Sequence, residues 1–400
     1  MDDMPSFGKD MREKEFTFTE GAICINHGSY GAVPRRVQET QRRNMDEMNS
    51  FPDLWYRQNL KVKKDEARKC ISEFINADPE DVVFVENATT AINSVLKSLD
   101  LGPEDIILCT DNTYGAVKIT CETTVQSSWL KGKGVRVDYL SLKFPINSED
   151  EVVDMYRDYF KNNTNVKMAV LDHITSPSAI KMPLEKLIPL CKEYGVLTMI
   201  DGAHAPGQIP LNLRQLDADF YAGNLHKWMY APRGCAILHV KRNHHDWVKP
   251  LVTSFGYNTS FQDGFGYKGT RDDSPYCTVP EAIKFYNAIG GYDKILEYAD
   301  GLLRNATELL TTSWKTERLP IPQSMEAPFM RMIELPELEG LSTYDEAEQR
   351  IVDNIKNYKI ASQITCVGDK KYHRISANIY NTPDEYHKLC QMVLEQMTTA

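Results

Sequence analysis

Apolar residues recur at two different spacings along most of this chain, and the alternation between them sets the expected elements. "NLKVKKDEARKCISEFIN" (59–76) places its apolar side chains at helical intervals. It stops before "ADPEDVVFVEN" (77–87), whose β-branched run reads as a strand. "TTAINSVLKSL" (89–99) follows as a helix opening at its threonine pair, then "DIILCT" (105–110) and "NVKMAVLDHI" (165–174) as strands. "LEKLIPLCKEYG" (184–195) has helical spacing and a closing glycine, and it leads into the strand of "VLTMIDGAH" (196–204). "FYAG" (220–223) is one more short buried run. Helix and strand alternating from about residue 60 to about 240 predict an α/β fold with a mainly parallel central sheet. Beyond about residue 275 the text changes to a long helical stretch, "PEAIKFYNAIGGYDKILEYADGLLRNATELL", and then to mixed strands and helices through "YHRISANIYNTPDEYHKLCQMVLEQM". That part predicts a smaller α+β domain. There is no internal repeat and no low-complexity linker.

Four hundred residues suffice for two domains with a sizeable core. A formal charge of −10 argues against broad nucleic-acid binding, which depends on Lys and Arg neutralising phosphates. The opening "MDDMPSFGKDMREKEF" is acidic and lacks the apolar stretch of a secretory signal, and no run approaches the roughly 20 apolar residues of a membrane helix. Nine cysteines, scattered and without a CxxC pair, predict reduced thiols and a cytoplasmic address. Glycosylation-like triplets at Asn87, Asn258 and Asn305 are then accidental.

The chemistry concentrates where two apolar runs end. Asp201 closes "VLTMI" and is followed by Gly202, Ala203 and His204; Lys227 comes shortly after "FYAG" and stands between His226 and Trp228. In an open parallel sheet, strand ends are where ligands bind. An ion pair is the plain reading of one Asp and one Lys; small residues that admit another group close to the backbone favour a site. Thr89 and Thr90 begin a helix whose N–H groups and dipole suit an anion; alone they read as ordinary capping threonines, and beside Lys227 and Asp201 the anion reading is the better one. His244 and His245 in "KRNHHDW" point apart if that segment is a strand, so no metal pair is expected. Trp55 and Arg57 are explained equally well as pocket residues or as a packed ring and a surface cation, and "KVKK" (61–64) reads as a solvated helix face.

The blocks "INHGSYGAVPRRV", "FVENATTAIN", "DGAHAPG", "YAGNLHKW", "GTRDDSPY" and "HRISANIYNTPDE" occur in order across nearly the whole chain. With them the sequence resembles the aminotransferase class V family of fold type I enzymes dependent on pyridoxal 5'-phosphate. Within that family it looks like the isopenicillin N epimerase-like and cysteine lyase-like branch. The resemblance implies a large cofactor-binding domain over 50–275 and a small domain formed by 1–49 and 276–400. It makes Lys227 the Schiff-base lysine, Asp201 the partner of the pyridine nitrogen and His204 the contact to the ring hydroxyl. His226, Ala88, Thr89 and Thr90 would hold the phosphate, with Thr270 reaching the phosphate of a neighbouring subunit and so implying a homodimer with a shared site. Tyr114 falls where relatives stack a ring on the cofactor face, with a buried structural tyrosine as the alternative. Arg374 matches the arginine that binds the substrate α-carboxylate, and Asn26, His27 and Tyr30 line the substrate side.

The implied activity is cleavage of the Cβ–S bond of L-cysteine, an S-substituted cysteine or a cysteine sulfoxide. Removal of the α-proton and β-elimination would give aminoacrylate and then pyruvate and ammonia. Epimerisation, transamination and a non-catalytic binding dimer stand as alternatives. Cys366, in the strand-like "KIASQITCVGD", does not match the mobile cysteine of a desulfurase and is expected to be structural.

Overall fold

Among the described residues the strands sort into three sheets. β1 (Ile23–Cys24) precedes β2 (Val82–Val85), β3 (Ile106–Thr110), β4 (Arg136–Leu140), β5 (Val166–Asp172), β6 (Leu197–Asp201), β7 (Phe220–Asn224) and β8 (Ala236–Val240). β9 (Met330–Glu334), β10 (Ile360–Ala361), β11 (Gln363–Val367) and β12 (Lys370–Ser376) follow. The computed structural model describes residues 4–127, 130, 132–338, 340–341 and 343–398.

The large sheet has the order β2-β8-β7-β6-β5-β3-β4. β4, β3, β5, β6 and β7 are mutually parallel, as the helix–strand alternation predicts. β8, which that alternation does not announce, runs antiparallel to both β7 and β2. Two reversals restore the original direction, so β2 ends at the same edge of the sheet as β5, β6 and β7.

Side chains of successive strand residues point to opposite faces, and here the two faces become two separate cores. Phe84, Ile106, Leu108, Leu171, Ile200, Tyr221 and Ile237 join one core. Val85, Ile107, Cys109, Val170, Met199, Phe220 and Leu238 join the other. A sheet covered on both faces needs strands that are apolar throughout rather than alternating. Full burial of each such side chain contributes about 1.5–3 kcal/mol, so the sheet is a rigid base for whatever its edge carries.

β11, β12 and β9 form an antiparallel sheet near the C-terminus. β1 pairs in parallel with β10, attaching the N-terminal segment to the C-terminal part. The long helix Gly291–Trp314 packs on the C-terminal helix Pro383–Thr398 and on β9. Among the described residues no helix is long and apolar enough to cross a membrane, and all nine cysteines are free. Cys366 is exposed on β11, opposite Lys371, rather than packed as a structural thiol.

Burial discharges several imidazoles: His173 is pushed down to about 3, and His239 and His373 to about 4. Unfolded imidazoles take up protons near pH 6.5, so these three stabilise the fold at neutral pH. They lose that contribution as pH falls from about 6.5 toward their folded values. Thermal melts should therefore show Tm falling between pH 7 and pH 5, and His239→Gln should reduce the slope. A Tm independent of pH across that range would contradict the burial of neutral imidazoles.

Candidate active site

The edge formed by the C-terminal ends of β5, β6 and β7 carries Asp172, Asp201 and Asn224 as the last residue of each strand. Asp172 and Asp201 are register partners on adjacent strands, and both are buried. Burial raises both carboxyls. Asp172 is also raised by the charge of Asp201, whereas Asp201 is favoured as the anion by the Ala203 N–H, 3.0 Å from its Oδ1, and by Lys227. Two adjacent buried carboxyls do not both ionise. Burial and the charge of Asp201 hold Asp172 toward its protonated form, against the Thr113 hydroxyl, which donates to its Oδ2 at 3.1 Å.

Lys227 stands three residues beyond β7, in a loop folded back by bonds from Leu225 N and His226 N to the Cys235 carbonyl. Its Nζ lies 3.0 Å from Nε2 of His204. Burial, then the positive charge of Arg374, brings the amine down to about 7, against the pull of Asp201. An amine that donates to Nε2 puts the imidazole proton on Nδ1, and Nδ1 of His204 is buried without a partner among the described residues. The Trp228 indole nitrogen beside the lysine is also buried and unpartnered.

Arg374 lies on β12, in the other sheet, and is 4% exposed. Its Nη1 donates to the carbonyl and hydroxyl of Ser176 at 2.5 and 3.2 Å, and its Nη2 donates to Asn26 Oδ1 at 3.0 Å and Ser29 Oγ at 2.8 Å. All four partners are neutral. A buried guanidinium without a carboxylate is costly, and burial lowers this one to about 10. The charge is therefore available to an anionic ligand.

The helix Ala88–Ser98 starts one residue earlier than its threonine pair suggests, with Asn87 as its cap. Asn87 Oδ1 takes the N–H of Thr90 at 2.8 Å and the Thr90 hydroxyl at 3.2 Å. Asn224 Oδ1 takes the N–H of Ala88 at 2.8 Å, tying the helix to the end of β7. Expectation and structure differ here: Ala88 and Thr90 have spent their donors within the protein. Among the described residues, Thr89 is the first-turn residue whose N–H and hydroxyl no side chain takes. His226 differs as well. Its Nδ1–H donates to the Cys235 carbonyl at 3.0 Å, and burial brings the ring to about 4, so it presents Nε2 as an acceptor until it gains a proton.

Other expectations need correction. His27 does not face a ligand: Nε2 contacts the Lys227 carbonyl and Nδ1 the Tyr380 hydroxyl, each at 2.9 Å. Tyr114 is not a buried structural ring, being 47% exposed, and with Tyr30 (72% exposed) it is one of the two phenols felt by Arg374. Thr270 is exposed, with its hydroxyl 2.9 Å from that of Tyr267. Asn26 serves Arg374 directly. His244 ends a 3-10 turn, not a strand, and contacts Asp219; His245 contacts the Val240 carbonyl and Asp81. No group able to hold a metal occurs among the described residues. Trp55 is buried, Arg57 pairs with Asp53 at the surface, and Lys64 of the "KVKK" run is tied to Asp273 at 2.8 Å rather than solvated. Asp172, Asn224, Ser176 and Ser29 carry site geometry that sequence pattern alone does not single out.

An amine brought down to about 7, an anionic carboxylate, an orphaned imidazole N–H and an open helix N-terminus fit a phosphorylated aromatic aldehyde. Comparison with known proteins agrees. The model of the family "Aminotransferase class-V" matches residues 44–335. A probable chloroplastic L-cysteine desulfhydrase of Arabidopsis thaliana is 32% identical, over 94% of this chain and 83% of its own. The hercynylcysteine sulfoxide lyase of Schizosaccharomyces pombe is 25% identical, over 97% of each chain. Among solved structures, the cystine C-S lyase C-DES in complex with cysteine persulfide superposes with a TM-score of 0.77 at 17% identity, covering 94% of this chain and 98% of that one.

The causes of the Lys227 shift set a test with opposite signs. In cofactor-free protein, capture of an aldehyde by this amine should rise with pH through about 7. Arg374→Met should move that midpoint up and Asp201→Asn should move it down. Stopped-flow absorbance read across pH would measure it, and shifts of the same sign in both variants would refute the electrostatic assignment.

Proposed function

From a chain that belongs to the aminotransferase class-V family, we propose a carbon–sulfur lyase dependent on pyridoxal 5'-phosphate. It would act on L-cysteine, an S-substituted cysteine or a cysteine sulfoxide. One observation carries this reading: a buried amine brought to about 7 shares its cleft with a buried arginine whose partners among the described residues are all neutral. Relatives named as an L-cysteine desulfhydrase and a hercynylcysteine sulfoxide lyase support the sulfur substrate.

In this reading Lys227 carries the cofactor, Asp201 faces its ring nitrogen and His204 its ring hydroxyl, with Nδ1–H as the free donor. Thr89 and the helix N-terminus meet the phosphate, and His226 joins them only when its Nε2 takes up a proton. Tyr114 lies against the ring. When bound, the cofactor supplies an electron sink for negative charge at the substrate Cα. The Arg374 fork holds the substrate carboxylate in two parallel hydrogen bonds, fixing which Cα bond faces the lysine. The Lys227 amine takes the α-proton. His204 keeps that amine in place, and the positive field of Arg374 favours passing the proton on to the departing sulfur. Aminoacrylate then hydrolyses to pyruvate and ammonia.

Epimerisation needs a second base on the far face of Cα. The relative named as a probable L-cysteine desulfhydrase matches 94% of this chain, against 66% for the isopenicillin N epimerase of Amycolatopsis lactamdurans. That favours elimination. The same reading makes the chain a homodimer, with exposed Thr270 of one subunit reaching the phosphate of the next and Tyr30 lining the substrate side. It assigns 50–275 to a large domain and 1–49 with 276–400 to a small one. The free thiols suit a reducing compartment such as the cytoplasm.

Incubation of the cofactor-loaded protein in deuterated water with L-cysteine, S-substituted cysteines and their sulfoxides should yield pyruvate and a sulfur fragment by mass spectrometry. Lys227→Ala should lower that yield by at least 1000-fold. Intact amino acid carrying deuterium at Cα, with optical purity lost, would replace elimination by epimerisation.

A further inference from the structure

His27 is buried under the cleft without reaching a ligand, yet every hydrogen-bonding atom it has is committed. Its backbone N–H donates to Ser376 Oγ at 2.8 Å, two residues beyond Arg374. Its Nε2 lies 2.9 Å from the Lys227 carbonyl, an acceptor only, so Nε2 carries the ring proton. Nδ1 is then the acceptor of the Tyr380 hydroxyl, also at 2.9 Å. The tautomer is fixed from both ends. Its neighbours Asn26 and Ser29 accept from the same nitrogen of Arg374.

The turn is pressed onto the lysine loop. Gly31 has φ +67°, and a Cβ there would sit 1.9 Å from the His226 carbonyl oxygen. A Cβ on Gly28 would meet Met330 Sδ at 2.9 Å, Trp228 at 3.1 Å and His204 at 3.2 Å. The His27 ring also lies against Trp228, with centroids 4.8 Å apart. One short turn therefore touches the backbone of Lys227 on one side and the guanidinium of Arg374 on the other.

We propose that His27 is a positioning residue that fixes the backbone of Lys227, and that the Asn26–Ser29 turn couples this lysine to Arg374. The proposal rests on reading Lys227 as the functional amine and goes beyond it by assigning its support. A carboxylate arriving at Arg374 competes with Asn26 and Ser29 for the guanidinium, and any shift of the turn is transmitted through Nε2–H to the lysine carbonyl. The charged and titratable groups around the amine are Asp201, Arg374, His204 and His226; those around the His27 ring are Tyr380, Tyr230 and Arg233. Burial holds the ring near 4, so it remains neutral across the working range.

The bond that matters belongs to Nε2, and two amides separate its geometry from mere bulk. Glutamine places an N–H near the position of Nε2, whereas asparagine places one near Nδ1. His27→Gln should keep the pH midpoint of the bound cofactor's visible absorbance within about 0.3 unit of wild type and kcat within about threefold. His27→Asn should move the midpoint by about one unit and lower kcat at least tenfold, with KM changed less than threefold. Hydrogen exchange of the 225–231 backbone in cofactor-free protein should quicken in His27→Asn and not in His27→Gln. Identical behaviour of the two variants, or failure of both to fold, would make His27 a packing element and overturn the proposal. Cofactor absorbance unaffected by Lys227→Ala would instead overturn the function on which it rests, while the exchange experiment would still report on the His27 bond.

Discussion

Two basic side chains buried in one cleft are the constraint from which the remainder of the site follows. Arg374 stays charged with only neutral oxygens around it, and its field helps strip the proton from Lys227. Like charges removed from water repel strongly, so the arrangement holds only because the surroundings are rigid and compensated. Compensation comes from Asp201, beside a second carboxyl, Asp172, that burial and Asp201 push toward its neutral form. Rigidity comes from the sheet, whose strand residues feed two cores at once. What would destabilise an ordinary interior here leaves one amine able to shed its proton near neutral pH and one guanidinium ready for an anion.

Much of this is legible in the sequence because it depends on local periodicity. Apolar runs closing in "DGAHAPG" and "NLHKW" mark strand ends, and strand ends of a parallel sheet converge on one edge. Lys227, Asp201 and His204 therefore stand out from the residues that flank them. β8 does not, because an apolar run such as "AILHV" reads the same whether it runs parallel or antiparallel to its neighbours. The helix start is displaced by one residue because Asn87 outcompetes the threonines as a cap, a local preference that the Thr pair obscures.

The remainder is hidden for a different reason: it is made by contacts distant in sequence. Nothing around His27 reveals that its ring will meet a carbonyl 200 residues away, and a histidine in a glycine-rich turn invites a ligand reading. Asp172 in "LDHITS" looks like one more strand-end acid until Asp201 is placed beside it. Asn224 belongs to a strand by pattern and to a helix N-terminus by hydrogen bond. These residues determine the charge state and orientation of groups that the pattern could only name.

The separation of those contacts also orders events during synthesis. Asn26 and Arg374, 348 residues apart, meet at one nitrogen, so the turn at Asn26 has no arginine to hold until the chain through Arg374 has left the ribosome. The sheet can form earlier from its own helix–strand units, since contacts close in sequence cost the least loop entropy to make. A nascent chain would then carry a lysine on a finished scaffold but without its completed roof. Competence to bind an amino acid arrives late, in the same step that closes the N-terminal segment over the strands made last.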